Sequence, residues 1–183
     1  MGKLLLISGG NGSGKSRYAE NFIAKTAGPR YYIATMEPQT EENRQRIQKH
    51  IAQRAKLNFV TLELPAQVGT APVTADSVVL LEDVSNLLGN TLFGAHGTMK
   101  DAWQNILALQ ARCKLLVAVT ISGLSAQGYD GETAAYIDAL NHLNQRLYDL
   151  ADATVTMKNN CPVWKKGAED DIYEVSAGGT IHL

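Results

Sequence analysis

The chain opens on a compact apolar run, Leu4-Leu5-Leu6-Ile7, and comparable runs return as "VVLL" at 78–81 and "LLVAV" at 115–119. Such runs have the length of strands and are far too short to cross a membrane. The pattern predicts strands over 3–8, 30–35, 58–63, 77–82, 114–120 and 153–157. Helical periodicity fills the intervals, over 15–26, 41–55, 84–94, 99–112 and 132–150. Strands alternating with helices imply an α/β fold, with a parallel sheet and helices on both faces. Residues 65–76, "PAQVGTAPVTAD", have loop composition but are too short to divide the chain, so residues 1–183 read as one domain. The tail 168–183 has no assigned role, and Gly178-Gly179 within it suits the turn of a small hairpin.

Between the first strand and the first helix lies "ISGGNGSGKSRYAE". Its glycines and serines would suit a flexible linker, but its spacing fits G-x-x-x-x-G-K-[ST]: Gly9, Gly10, Asn11, Gly12, Ser13, Gly14, Lys15 and Ser16. Glycines allow successive N–H groups to point inward at phosphate, and the following helix adds its positive end. In that arrangement Lys15 reaches the terminal phosphates of ATP or GTP, and the Ser16 hydroxyl binds Mg²⁺. Such sites take an acidic group from the end of another buried strand. "SVVLLED" offers two, and strand-end position favours Glu82 as the metal-side carboxylate, with Asp83 as a helix cap.

Composition narrows the class. Hydrophobic residues make up 45% of the chain and charged ones 19%, as in globular proteins. A net charge of −1 lacks the basic excess of general nucleic-acid binders. Two cysteines far apart, Cys113 and Cys161, make neither a disulfide framework nor a zinc site. The first residues lack the pattern of a signal peptide, and a cytoplasmic protein is expected.

"TEENRQRIQKHIAQRA" reads as a helix capped by Thr40, with Glu41 and Glu42 at its positive end. Arg46, His50 and Arg54 fall on one face, one turn apart, beside an apolar stripe of Ile47 and Ile51. Charged faces of this kind usually do no more than meet water. The alternative is a polyphosphate site, with the arginines as clamps and neutral His50 as base or nucleophile.

Taken together, these segments resemble the bifunctional adenosylcobinamide kinase/adenosylcobinamide-phosphate guanylyltransferases of cobalamin biosynthesis. The likeness runs through "ISGGNGSGKSRYAE", "YYIATMEPQTEENRQRIQKHIAQR", "VVLLEDVSNLLGNTLF" and "LNQRLYDLADATVTMKNNCPVWKKG", most of residues 1–167. It implies a RecA-like P-loop NTPase sheet and a homo-oligomer, a trimer. It also implies two reactions on adenosylcobinamide: phosphorylation of the aminopropanol hydroxyl, then transfer of GMP from GTP to the cobinamide phosphate. On the matching positions Lys15 and Ser16 serve polyphosphate and Mg²⁺, Glu82 is the strand-end carboxylate and His50 carries GMP between Arg46 and Arg54. The chain departs from the family pattern after the strand at 114–120, where "TISGLSAQGYDGET" puts Ile121-Ser122 in place of Asn-Glu. Asp83 stands for a cysteine, and the loop has Gly12 before Ser13 where an arginine is usual. A P-loop kinase of other specificity, or a nucleotide-binding relative with one or both activities lost, is the alternative reading.

Overall fold

In the computed structural model, residues 1–37, 41, 44, 45, 47, 48, 51 and 57–176 are described. Their elements are β1 (Lys3–Gly9), α1 (Lys15–Ala24), β2 (Arg30–Ala34), β3 (Phe59–Glu63), β4 (Val78–Glu82) and α2 (Val84–Gly89). They continue with α3 (Met99–Arg112), β5 (Leu115–Ile121), α4 (Gly131–Leu150), β6 (Ala153–Lys158), β7 (Cys161–Lys166) and α5 (Glu169–Ser176). Residues Glu41, Arg44, Gln45, Ile47, Gln48 and Ile51 are helical as well. Thr40, Arg46, Lys49, His50 and Arg54 lie outside the described residues.

The strands form one seven-stranded sheet in the order β3-β2-β4-β5-β1-β6-β7. Every pairing is parallel except β6 with β7. Side chains alternate between faces along a strand, so a strand covered on both sides must be apolar throughout. On β1, Leu4 and Leu6 face a core built with α2, α3 and α4, including Leu87, Ile106 and Leu143. Leu5 and Ile7 face the opposite core, with Ala19, Phe22 and Ile23 of α1 and Ile172 of α5. The apolar runs are thus the signature of a sheet wrapped on two sides. No helix among the described residues is long and apolar enough to cross a membrane.

Two elements were not expected. β7 pairs antiparallel with β6 through a two-residue turn in which Asn159 and Asn160 have φ of 50° and 62°. Both residues are left-handed, as a tight hairpin of primed type requires, and asparagine tolerates that region better than most residues. The expected hairpin at Gly178-Gly179 lies outside the described residues. The second element is α5, in the tail left unassigned. It docks on α1: Ile172 is fully buried and the Tyr173 ring stacks on Phe22 at 4.9 Å between centroids. Ile172→Ala should cost about 2–4 kcal/mol of stability by truncating a fully buried side chain. Chemical denaturation would measure it, and an unchanged midpoint would show that α5 adds nothing to this face.

The helix expected over 84–94 remains α-helical to Gly89 and then widens into a π turn over Asn90–Gly94. The sheet matters for function because of where its strands end. The carboxyl ends of β1, β2 and β4 meet on one edge, where parallel α/β sheets bind ligands.

Candidate nucleotide and active site

The loop from Gly9 to Ser16 turns the carboxyl end of β1 into α1. Gly12 and Gly14 adopt φ of 68° and 87°, angles that a side chain disfavours. At Gly14 a second constraint applies, because a Cβ there would stand 2.5 Å from Asn160 Oδ1 of the β6–β7 turn. Lys15 is buried and curls back so that its Nζ donates to Gly10 O at 2.6 Å. Burial lowers its pKa, while the carboxylates of Glu82 and Asp83 pull the other way.

Ser16 Oγ donates to Glu82 Oε1 at 2.5 Å, which joins the start of α1 to the end of β4. Glu82 Oε2 and Ser13 Oγ are both buried without a hydrogen-bond partner. An orphaned carboxylate oxygen beside a serine hydroxyl is a set of hard oxygen donors, the kind that Mg²⁺ prefers. Glu82 is half-buried where it borders the cleft. That burial, followed by repulsion from Asp83, pushes its pKa up to about 8. A bound cation would reverse that balance and favour the charged form.

Asp83 does something different. Its Oδ1 accepts from Asn86 N at 2.7 Å and so caps α2. Burial raises its pKa too, against the hydrogen bonds from Asn86 and Ser85. Thr35, just past β2, holds the corner between the two acids. Its hydroxyl accepts from Asp83 N at 2.7 Å and lies 2.8 Å from Asp83 O and 3.0 Å from Glu82 O, as the possible donor. Asn90 Nδ2 in turn donates to Thr35 O at 2.7 Å and Pro65 O at 3.0 Å. Sequence reasoning passed over Thr35 and Asn90. The one signal available was a small hydroxyl residue directly after an apolar strand.

These groups border a cleft of about 910 Å³, lined among others by Ser13, Lys15, Arg17, Glu82, Asp83 and Ile121. A smaller hollow of about 60 Å³ adjoins it, and Ile47 lines that hollow together with Glu82, Asp83 and Asn86. Ile47 therefore stands at the carboxylate end of the cleft. The structure brings Lys15, Ser16 and Glu82 together; of the positively charged stripe it describes none of Arg46, His50 and Arg54.

Glu82→Gln should lower turnover roughly 10- to 100-fold, the usual cost of losing a group that supports a metal site. Nucleotide affinity without Mg²⁺ should hardly change, since the amide keeps the shape and a bond to Ser16. Titration of activity against Mg²⁺ would read this as a higher metal requirement. If Asp83→Asn behaves that way and Glu82→Gln does not, the wrong carboxylate has been assigned.

The fold has a known counterpart. The chain superposes on a prototypical ATPase from the type III secretion system of pathogenic bacteria with a TM-score of 0.52 over 96% of its length. Identity is 9%, so the likeness concerns the P-loop ATPase fold alone, and the chain spans 61% of that protein. A nearer relative in sequence is the bifunctional adenosylcobalamin biosynthesis protein CobU of Salmonella typhimurium. It is 29% identical over 168 residues, covering 81% of this chain and 92% of the relative. The sequence model of the family described as cobinamide kinase / cobinamide phosphate guanyltransferase matches residues 5–164. That span holds the phosphate loop, both acids and the asparagine turn, and by it the chain belongs to the cobinamide kinase / cobinamide phosphate guanyltransferase family.

Proposed function

We propose that the protein is a transferase with two linked activities, phosphorylating adenosylcobinamide on its aminopropanol hydroxyl and then attaching GMP to the phosphate it has made. The observation that carries the first half is the Ser16–Glu82 contact at the phosphate loop, facing an open cleft. The loop's N–H groups and the start of α1 would hold the triphosphate, and Lys15 would exchange Gly10 O for a terminal phosphate oxygen. Ser16 and Glu82 are the residues to hold Mg²⁺, which supplies charge neutralisation at the phosphoryl group when bound. The cobinamide hydroxyl would then attack the γ-phosphorus, giving up its proton to solvent, and the nucleoside diphosphate would leave with the bridging electron pair.

For the second half, His50 would attack the α-phosphorus of GTP and release pyrophosphate. The cobinamide phosphate would then take GMP from the imidazole. Arg46 and Arg54, one turn to either side, would neutralise the transferring phosphate. Ile47 supports this reading, since it lines a hollow together with Glu82 and Asp83.

One observation favours a narrower activity. Ile121, where the family pattern has a polar pair, lines the cleft, and its N–H is taken by Ser85 Oγ at 3.2 Å. A kinase that has lost guanylyl transfer would fit that apolar wall. Incubation with GTP and either cobinamide or its phosphate, read by mass spectrometry, separates the two. GDP-cobinamide from both substrates supports the pair of activities; phosphorylation alone supports the narrower enzyme; no product from either overturns both.

A further inference from the structure

We propose that Asn160, at the tip of the β6–β7 turn, reads the base of the nucleoside triphosphate held on the phosphate loop. The inference rests on the phosphate-binding reading of residues 9–16 and adds the part which that motif leaves open, because backbone N–H groups cradle any triphosphate alike.

β1 lies between β5 on one side and β6 on the other, with β4 beyond β5. The metal-side groups, Ser16 and Glu82, pull the terminal phosphates toward the β4 flank. The acceptor must meet the γ-phosphate there, in the cleft between Glu82, Asp83 and Met36. A triphosphate laid with that end toward β4 sends its ribose and base the other way, to the β6 flank. What stands on that flank is the asparagine turn.

The turn is built against the loop rather than merely near it. Gly9 of β1 and Met157 of β6 are register partners, and a Cβ on Gly9 would come within 2.8 Å of Met157 O. Past Met157, only Lys158 and Asn159 intervene before Asn160, whose Oδ1 lies over Gly14. Asn160 is exposed, and among the described residues its amide has no hydrogen-bond partner. A left-handed φ of 62° holds it at the tip, where strand pairing on both sides limits its movement. A carboxamide offers one donor and one acceptor side by side, the complement of a purine edge. Asn159, the other residue of the turn, is not among the atoms nearest to Gly9 or Gly14.

The test uses the whole chain with Mg²⁺ and four probes: ATP, GTP, UTP and inorganic tripolyphosphate, each titrated by calorimetry. Asn160→Gly removes the amide and accepts the left-handed backbone without strain, and Asn159→Gly is the matched control. In the wild type one purine triphosphate should bind more tightly than UTP or tripolyphosphate. Asn160→Gly should weaken that purine about tenfold, in line with the loss of one or two hydrogen bonds, and erase the preference over UTP. Tripolyphosphate affinity should stay as it was, and Asn159→Gly should leave all four values unchanged. A loss shared equally by tripolyphosphate would mean that Asn160 only shapes the loop, and an unchanged base preference would mean that it reads nothing; either overturns the proposal. Wild-type protein that binds none of the four would instead remove the phosphate-binding reading on which it stands.

Discussion

Lys15→Ala is expected to lower phosphoryl transfer by at least about a thousandfold, the scale on which positively charged groups act on a transferring phosphoryl group. Nucleotide affinity should fall as well, by less, because the loop's N–H groups and the start of α1 remain. Folding should be little affected. The ammonium is buried, its pKa is lowered by that burial, and its one close polar contact is Gly10 O. Its removal relieves a desolvated charge but also leaves Glu82 and Asp83 without the nearby cation that partly offsets their own burial. These effects oppose each other in the free protein. They do not oppose each other in the complex, where Lys15 would face the negative charge of the terminal phosphates as it shifts to the leaving group. Single-turnover rates with saturating nucleotide would separate the effect on chemistry from that on binding. Turnover and affinity both at wild-type levels would remove the loop from the reaction.

How far the chain could be read in advance follows from what each element buries. The inner strands β1, β4, β5 and β6 are covered on both faces along most of their length and so announce themselves as apolar runs such as Leu4–Ile7, whereas β3, at the other edge, is partly exposed throughout. β7 is an edge strand with Pro162, Lys165 and Lys166 in it, and it pairs with β6 alone. Without a buried face on both sides it has no run to recognise, and proline is tolerated there because an edge has a side that needs no partner. α5 is eight residues long, and among its described side chains only Ile172 is buried, with Tyr173 partly so, too little periodicity to stand out. The site divides in the same way. Lys15 and Ser16 belong to a local motif, and Glu82 to a strand end, so one dimension suffices for them. Thr35, Asn90 and Asn160 matter through neighbours 48, 55 and far more residues distant, and nothing short of knowing that β2 lies beside β4 and β6 beside β1 brings them into view.

The second large effect concerns the covalent intermediate, where His50 and Lys49 compete. Either side chain can in principle form a phosphoramidate with GMP. At neutral pH an ordinary imidazole is largely unprotonated and has a lone pair to give, whereas an ordinary lysine is almost wholly an ammonium. Neighbouring guanidiniums at positions 46 and 54 would shift the imidazole further toward its neutral form. On the helix that the sequence predicts over 41–55, successive residues would differ by about 100° in direction, so one of the pair would not stand in for the other. GTP labelled at the α-phosphate should therefore leave an acid-labile, base-stable label on the protein. Lys49→Ala should keep the label, and His50→Ala should lose it entirely while binding GTP as before. The kinase half offers an internal check, since in the proposed mechanism phosphorylation of cobinamide uses the loop and the acids and should persist in His50→Ala. Label that survives in His50→Ala would move the nucleophile elsewhere. A wild-type protein that takes no label with any concentration of Mg²⁺ and GTP would end the guanylyl-transfer reading and leave a kinase whose Ile121 wall has replaced the second activity.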